Sequence, residues 1–117
     1  QFGPLAMFGS GGVEVEGLQD VAFALAPVTR EEAEHMLERT WAGRKLGGYR
    51  HMPPADRAAV IEALVRLAQL AADFSSSNRQ SGRHLAEIEI NPLRVLPDGQ
   101  GAFAVDVRAR VTEVAWA

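Results

Sequence analysis

Three side chains with oxygen donors alternate along one short stretch near the C-terminal end of the sequence. Glu87, Glu89 and Asn91 lie two residues apart, and a Pro-Asp-Gly turn leads from them back to Asp106. Side chains on a strand alternate between its faces, so these three share one face if the stretch is extended. Mg²⁺ prefers such oxygen donors and fills its other positions with water and substrate phosphates. The pattern therefore suggests a metal site that binds a nucleotide.

The turn that follows these residues fixes which side chains face each other across the hairpin. Asp98-Gly99 is a preferred pair for a two-residue type I′ turn, in which both central residues have positive φ. Such a turn places Pro97 opposite Gln100, and the pairing of the two strands continues from there. Pro92 has no amide hydrogen to donate, so we expect a bulge or a strand end near it.

This register brings the candidate metal ligands together. Asn91 faces Asp106, and Glu89 faces Arg108. Directly opposed side chains have Cβ atoms about 4.5–5.5 Å apart, which is close enough for an amide oxygen and a carboxylate to share one cation. The alternative is that the acids form an ordinary solvated face, on which Glu89 is paired with Arg108. Spacing alone leaves both interpretations open.

The apolar residues of the hairpin favour the same register. Ile90 faces Val107, and Ile88, Phe103 and Val105 fall on the same side, which we predict to lie against the core. A shift of one residue would break this match, because it would move every side chain to the other face. The apolar pattern therefore specifies the register independently of the turn.

Two helices are predicted before the hairpin. Thr29 and Glu32 form a capping box, which predicts a first helix that runs to about Ala42 and stops at Gly43. A longer helix begins near Asp56, behind two prolines. Apolar residues repeat every three to four positions in both helices, and they are Ala33, Met36, Leu37 and Trp41 in the first and Val60, Ala63, Leu64, Leu67, Leu70, Ala71 and Phe74 in the second. Core packing explains Met36, Trp41 and the row of Leu64 and Leu67.

The remaining elements complete an α+β layout. Strands are predicted at Leu5–Phe8 and Asp20–Ala26, with the connection around Val13–Gly17 left unassigned. Ser75–Arg83 contains no apolar residue, which predicts a flexible exposed loop before the hairpin. The order β-β-α-α-β-β is typical of an α+β fold with a mostly antiparallel sheet and two packed helices. We expect one domain over residues 1–117.

The composition of the chain limits the kinds of partner that we expect it to bind. The chain has 117 residues, 47% hydrophobic and 23% charged, which is typical of a soluble domain. A formal charge of −3 and the lack of a Lys/Arg block argue against nucleic-acid binding. No apolar run approaches the roughly 20 residues that span a bilayer, and no signal-peptide pattern opens the chain, so we expect a cytoplasmic protein without a membrane partner. Because Gln1 leads directly into an apolar segment, we interpret the chain as a fragment of a longer protein.

Several segments together resemble one enzyme family. “FGPLAMFGSGGVEVEGLQDVAFALAP” near the N-terminus, “GYR” at 48–50, and “EIEINPL” followed by “AVDVR” in the hairpin are similar to motifs of ADP-forming acyl-CoA synthetases. These enzymes are relatives of the succinyl-CoA synthetase β subunit. The resemblance covers nearly the whole chain, and the hairpin motif is its most specific part. It implies the C-terminal part of an ATP-grasp domain.

The resemblance assigns roles to three residues of the hairpin. It implies that Asn91 and Asp106 hold Mg²⁺ against the phosphates of ATP, and these are the two residues that the register opposes. It also places Glu89 in the active site as a catalytic residue, where the equivalent acid of the relatives approaches a phosphorylated histidine supplied by another domain. The metal site and the catalytic acid would then share one strand face.

Three further residues are candidates for the cofactor site. The resemblance implies that Glu87 lies near the metal and Glu16 near the nucleotide, although a solvated strand edge also explains Glu16. Arg50 lies in a predicted loop, from which a guanidinium can bind phosphate through paired hydrogen bonds. We therefore predict Glu16, Arg50 and Glu87 as cofactor-binding residues.

The implied reaction joins a small carboxylic acid to coenzyme A through acyl phosphate and phosphohistidine intermediates, with ATP and ADP as phosphoryl partners. The phosphorylated histidine, the adenine pocket and the phosphate-clamping lysine are not in this sequence, so other synthetase domains must supply them. This chain alone is expected to lack enzyme activity. Ala24 also stands where the family usually has an arginine. The alternative is a noncatalytic regulatory or scaffold module of a multidomain acetyltransferase.

Overall fold

The computed structural model of the protein describes residues 3–10, 19–75 and 82–113. Within these ranges the strands form two-stranded antiparallel sheets, which are β1 (Leu5–Gly9) with β2 (Val21–Leu25), β3 (Arg83–Ile90) with β6 (Val107–Glu113), and β4 (Leu93–Val95) with β5 (Ala102–Ala104). The helices are α1 (Arg30–Glu38), α2 (Trp41–Arg44) and α3 (Arg57–Asp73), with a 3₁₀ turn at Lys45–Gly47. The predicted α+β class with antiparallel pairing is confirmed. No helix in the described ranges is long and apolar enough to cross a membrane.

The N-terminal sheet turns its alanines and Phe8 to the core and exposes most of its other large side chains. In the pairing of β1 with β2, Leu5 faces Leu25 and Met7 faces Phe23. These four side chains are exposed, by 48% for Phe23 and 63% for Met7, whereas Ala22 on the opposite face is buried. The alanine-rich face therefore joins the core, and the face with the larger side chains is left open.

The start of α1 follows the prediction. The amide of Glu32 donates to Thr29 Oγ1 at 3.0 Å, and the amide of Thr29 donates to Glu32 Oε1 at 2.9 Å. This reciprocal pair is the predicted capping box. Ala33, Met36 and Leu37 on the same helix have no exposed surface. The apolar stripe of α1 thus packs in the core.

The first helix ends earlier than its apolar pattern predicts. α1 stops at Glu38, and Thr40 becomes the N-cap of α2, with its Oγ1 accepting a backbone amide at 3.1 Å. Asp20, just before β2, accepts the amides of Trp41 at 2.7 Å and Ala42 at 2.8 Å. The prediction of one helix to Ala42 is wrong, because these acceptors satisfy the amides of a new helix start.

Gly43 and Trp41 also differ from prediction. Gly43 lies inside α2, and a Cβ at this position would lie 2.1 Å from the carbonyl oxygen of Leu37. It permits close approach of α2 to α1 instead of stopping a helix. Trp41 is 41% exposed and packs edge-on against Tyr49, with ring centroids 4.8 Å apart. Because a new helix starts at Thr40, Trp41 does not continue the buried stripe of α1.

The longest helix starts at the predicted cap. Asp56 accepts the amide of Ala59 at 3.0 Å and also that of Gly101 at 2.7 Å. The second bond ties the start of α3 to the end of the hairpin turn. The core lies between α1, α3 and the buried face of β1 and β2. The residues that α3 buries there are Val60, Ile61, Leu64 and Ala68.

The C-terminal hairpin has the predicted register from its turn as far as Glu87, beyond which a bulge shifts the pairing by one residue. The amide of Gln100 donates to the carbonyl oxygen of Pro97 at 2.9 Å, as expected for a two-residue loop. Farther along, Ile90 faces Val107. The pairing of β4 with β5 follows the same numbering, with Leu93 facing Ala104. The register that the turn and the apolar pattern predict is confirmed.

The turn itself is of another type. Gly99 has a φ of 84°, but Asp98 does not have positive φ. Positive φ at the second central residue alone is the pattern of a type II turn, not of the predicted type I′. Both types have two central residues, so the register is the same. A β-bulge does occur in the hairpin, between Leu85 and Glu87.

The face that the hairpin turns to the core changes at Pro92. β3 ends and β4 begins on either side of this residue, which confirms a strand end there. Leu93 and Val95 of β4 pack against the core. Phe103, Val105 and Val107 are 49%, 56% and 52% exposed, so the prediction that they face the core is wrong. Because the strand is interrupted at Pro92, the hairpin packs its opposite face against the helices along β4.

The predicted loop at Ser75–Arg83 falls mostly outside the described residues, which exclude 76–81. Ser75 itself is buried, and its Oγ donates to the carbonyl oxygen of Ala72 at 3.3 Å. Arg83 is the first residue of β3. At these two ends the prediction of an exposed loop is therefore wrong, because Ser75 is buried and Arg83, although exposed, belongs to a strand.

Candidate functional site

One face of the C-terminal hairpin is entirely polar at its centre. Glu89 and Glu87 lie on β3, and Asn91 follows directly after it. The amide of Asn91 donates to the carbonyl oxygen of Asp106 at 2.9 Å, which continues the β3–β6 register beyond Ile90. Each acceptor side chain faces a polar residue: Glu87 faces Arg110, Glu89 faces Arg108, and Asn91 faces Asp106.

The polar residues nearest the strand end enclose a shallow pocket of about 190 Å³. Its lining consists of Glu89, Asn91, Asp106 and Arg108. The structure thus brings together three of the predicted site residues, and it adds Arg108. The direct opposition of Asn91 and Asp106 is the arrangement that the register predicts. An amide oxygen and a carboxylate on opposed residues are close enough to serve one cation.

The charges at this site are paired weakly and are open to solvent. Arg108 Nε lies 3.9 Å from Asp106 Oδ2, and the two side chains are 80% and 60% exposed. Arg110 Nε lies 3.9 Å from Glu87 Oε1. Exposed pairs of this kind contribute about 0–1 kcal/mol. Neither pair fixes its side chains firmly, so both remain available to a ligand.

Glu89 does not form the ion pair that the solvated-face interpretation assumes. Within the described residues its carboxylate has no basic partner within 4.0 Å, although Arg108 stands opposite on β6. The guanidinium of Arg108 lies instead beside Asp106, the residue directly before β6. The carboxylate of Glu89 is therefore free to accept a hydrogen bond from a group outside the hairpin.

The donor set suits a hard divalent cation. Among residues 3–10, 19–75 and 82–113 there is no cluster of three or more His, Asp or Glu side chains with metal-site geometry. The pocket offers the carboxylates of Asp106 and Glu89 and the amide oxygen of Asn91. Mg²⁺ is commonly held by one or two protein carboxylates and takes its other ligands from water and phosphate. These residues fit Mg²⁺ that is shared with a phosphate ligand.

The other predicted cofactor residues are not part of this pocket. Glu87 lies one step farther along the same face, beside Arg110. Arg50 lies at a separate turn with a φ of 55°, and its guanidinium stacks over the ring of Tyr49 at 5.0 Å from the centroid. Glu16 lies outside the described residues. The geometry therefore groups Glu89, Asn91 and Asp106 and leaves Arg50 apart.

Arg108 was predicted from the sequence only as a partner for Glu89. Its position in the pocket follows from the same register that pairs Asn91 with Asp106, because Arg108 lies two residues beyond Asp106 on one strand face. The signal was therefore present in “AVDVR”, which places an acid and a base side by side.

A larger apolar groove of about 570 Å³ adjoins the pocket. A cavity over one face of a strand would be lined by alternate residues, but here consecutive residues 5–10 and 87–93 line it. The groove therefore follows the edges of β1 and β3, with the apolar side of α3 as its floor. Glu89 and Asn91 line both spaces, so the polar pocket opens directly onto this groove.

The sequence and the fold both match known proteins. Residues 1–111 match the family model described as an ATP-grasp domain. The chain is 41% identical over 99 residues to acetate–CoA ligase [ADP-forming] I of Archaeoglobus fulgidus, covering 85% of this chain and 13% of the relative. It is 36% identical over 108 residues to the β subunit of acetate–CoA ligase [ADP-forming] II of Pyrococcus furiosus, covering 92% of this chain and 43% of that subunit.

A solved structure shares the same fold. Acetyl-coenzyme A synthetase 1 of Ca. Korarchaeum cryptofilum, in complex with coenzyme A and Mg-AMPPCP, superposes with a TM-score of 0.77 at 36% identity. The match covers 96% of this chain and 48% of that chain. In that complex the phosphohistidine segment points towards the nucleotide binding site. This chain therefore spans less than half of the relatives that it matches.

Proposed function

Because this chain belongs to the ATP-grasp family and matches a part of the ADP-forming acyl-CoA ligases, we propose that its hairpin binds the Mg²⁺-bound phosphates of ATP or ADP. The observation that carries the proposal is the opposition of Asn91 and Asp106 at a pocket that Glu89 and Arg108 also line. Hard oxygen donors in an open pocket are what a cation shared with phosphate requires. We assign Asn91 and Asp106 as the metal ligands.

Asp106 and Asn91 contribute different kinds of ligand to the cation. Asp106 provides the anionic ligand and Asn91 a neutral one, so the ligand pair carries a single negative charge. When bound, Mg²⁺ supplies charge neutralisation at the phosphate oxygens. Because both donors belong to paired backbone positions, their separation is set by the strand register and does not depend on a mobile loop.

Glu89 is the candidate for contact with the phosphoryl carrier. Its carboxylate lines the pocket and has no ion-pair partner among the described residues. A carboxylate in this position is able to accept the N–H of an imidazole, which would hold a histidine with its other nitrogen towards the phosphate. The phosphohistidine segment of the Korarchaeum relative points towards its nucleotide site. We propose that Glu89 receives the equivalent segment in the complete enzyme.

The remaining candidate residues have secondary roles. Glu87, on the same face, adds negative charge near the metal but is balanced by Arg110. Arg50 and Glu16 are kept as candidates for contact with other parts of the nucleotide. Ligation of a small carboxylic acid to coenzyme A, in the cytoplasm where both are available, is proposed for a longer protein that supplies further synthetase domains. The chain alone is expected to be inactive.

Substitution of Asp106 in the full-length protein tests the proposal. Asp106→Asn is nearly isosteric but removes the anionic ligand, so we expect weaker binding of Mg-ATP that is partly restored by raising the Mg²⁺ concentration. Asp98→Asn is the matched control, because it makes the same change at an exposed position at the other end of the hairpin. Calorimetric titration at several Mg²⁺ concentrations, with thermal melts for folding, gives the comparison.

Two results would contradict the proposal. Equal Mg-ATP affinity for wild type and Asp106→Asn across the Mg²⁺ series would show that the assignment of the metal site is wrong. It would favour the alternative of a regulatory or scaffold module. Formation of ADP and an acyl-CoA by the purified 117-residue chain, free of other enzymes, would show that the chain is sufficient for ligation.

A further inference from the structure

Arg108 contributes the cation among the four side chains that line the polar pocket. It lies on β6 opposite Glu89 of β3, and its side chain is next to that of Asp106, which directly precedes β6. Its side chain is 80% exposed, so burial does not account for its position. The guanidinium is thus placed beside the anionic candidate ligand of the metal, with space around it.

The formal charges show what this cation changes. The carboxylates of Glu89 and Asp106 with the guanidinium of Arg108 give the pocket a net charge of −1. With a divalent cation present the net charge becomes +1, whereas it would be zero if Arg108 were neutral. A polyphosphate ligand is strongly anionic. Arg108 therefore decides whether the metal-loaded pocket attracts such a ligand or is merely neutral towards it.

The contact between Arg108 and Asp106 is one that a ligand can replace. Its closest nitrogen-oxygen distance is 3.9 Å, longer than a hydrogen bond, and both side chains face solvent. Such a pair is worth about 0–1 kcal/mol. When Asp106 directs its oxygens to a cation, the guanidinium keeps all its donors for another acceptor in the same pocket. A guanidinium matches two phosphate oxygens at once, which an ammonium group does not.

We propose that Arg108 is a phosphate-binding residue, which leaves Asp106 when the divalent cation binds and contacts the nonbridging oxygens of the bound nucleotide polyphosphate. This inference rests on the proposed function, because it takes Asn91 and Asp106 as the metal ligands. It adds a residue that holds the anion and not the metal. Arg108 thus contacts the polyphosphate directly.

The hairpin provides a matched control for this role. Arg110 lies two residues farther on the same strand face, opposite Glu87, and its Nε is also 3.9 Å from a carboxylate oxygen. It does not line the pocket. Arg108→Gln and Arg110→Gln therefore remove equivalent exposed ion pairs, but only the first removes a cation from the pocket.

The test compares metal binding with nucleotide binding in the full-length protein. Mn²⁺ alone is titrated by electron paramagnetic resonance, and ADP is titrated by calorimetry at saturating Mg²⁺. For Arg108→Gln we expect ADP affinity to fall about 10- to 100-fold, in the range of a lost charge-assisted hydrogen bond. Mn²⁺ affinity should stay equal or rise, because a competitor for Asp106 is gone. Arg108→Lys should recover part of the ADP affinity, and Arg110→Gln should change neither titration.

The outcomes separate this inference from the proposed function. Unchanged ADP affinity in Arg108→Gln overturns the role of Arg108, even if Asp106→Asn abolishes Mn²⁺ binding as the metal site requires. An equal loss of Mn²⁺ and ADP affinity in Arg108→Gln also overturns it, because Arg108 would then act through the metal ligands. If Asp106→Asn leaves Mn²⁺ binding intact, the metal site itself is wrong. Thermal melts of each variant identify any loss that comes from unfolding.

Discussion

Asp56 joins the longest helix to the hairpin, and removal of its carboxylate tests how the hairpin is held. The residue is 8% exposed. Its Oδ1 accepts the amide of Ala59 at 3.0 Å and its Oδ2 accepts the amide of Gly101 at 2.7 Å. Asp56→Ala removes both acceptors. It leaves one amide unpaired at the start of α3 and another at the end of the hairpin turn.

The expected loss of stability follows from these two bonds. Loss of an N-cap acceptor costs about 1 kcal/mol. Loss of a hydrogen bond to a charged group costs about 1.5–3 kcal/mol. Asp56→Ala should therefore lower the free energy of unfolding by about 3 kcal/mol. Asp56→Ser should lower it by about 2 kcal/mol, because serine keeps the cap but is too short to reach Gly101 as well.

Urea denaturation of the chain measures these differences, and Thr29→Ala is the matched control. Thr29 caps α1 with one side-chain acceptor but has no second partner in the hairpin, so its loss should cost about 1 kcal/mol. Hydrogen exchange at the amide of Gly101 should accelerate in both Asp56 variants. If Asp56→Ala destabilises the chain no more than Thr29→Ala, or if exchange at Gly101 is unchanged, the helix–hairpin tie is not a source of stability.

Two further predictions concern the junction of α1, α2 and β2. Partial burial raises the pKa of Asp20, but hydrogen bonds from Ser10 and two backbone amides of α2 outweigh it, so the net pKa is lowered. The contribution of Asp20 to stability should be complete above the ordinary pKa of about 3.9 and should be lost as the pH falls through the lower pKa of the folded state. Asp20→Asn should therefore remove the loss of stability that Asp20 causes on acidification. An acid denaturation curve that is the same for both proteins would contradict this. Gly43→Ala should destabilise the chain by about 1–3 kcal/mol because its Cβ would meet Leu37. Gly47→Ala is the control, since no atom lies within 4 Å of a Cβ there, and equal melting temperatures for the two variants would refute the packing argument.

The register of the site hairpin was predictable because two local signals agree. The Asp98-Gly99 pair and the facing pair of Ile90 and Val107 each require the observed pairing. The turn type was predicted wrongly without consequence, since both types have the same loop length. Opposition of Asn91 and Asp106 depends on register alone, so it was predictable as well.

Features that depend on distant residues were not predictable. The break between α1 and α2 depends on Asp20, which caps amides more than twenty positions away along the chain. The exposure of Trp41 follows from that break. The exposure of Phe103 depends on which side of the ribbon packs against the helices after Pro92. Apolar alternation gives the two faces of a strand, but only the tertiary contacts decide which one is covered.

Because the polar pocket is open to solvent, its charges interact only weakly with one another and with a ligand. Two unit charges 4 Å apart interact by about 1 kcal/mol in water but by about 4 kcal/mol at an effective dielectric constant of 20. Asp106 and Arg108, at 60% and 80% exposure, are close to the first situation. Their chemistry becomes strong only when a second surface excludes water from the pocket.

The apolar surfaces around the pocket are suited to receive such a cover. The groove between the edges of β1 and β3 adjoins the pocket, and large apolar side chains such as Met7 on β1 and Val111 on β6 are exposed. Large exposed apolar patches mark sites of association. The relatives extend well beyond the region that this chain matches. We therefore expect the charges placed by this hairpin to act on phosphate only where a further surface closes over Glu89, Asn91, Asp106 and Arg108, since these four side chains in water would bind a nucleotide weakly.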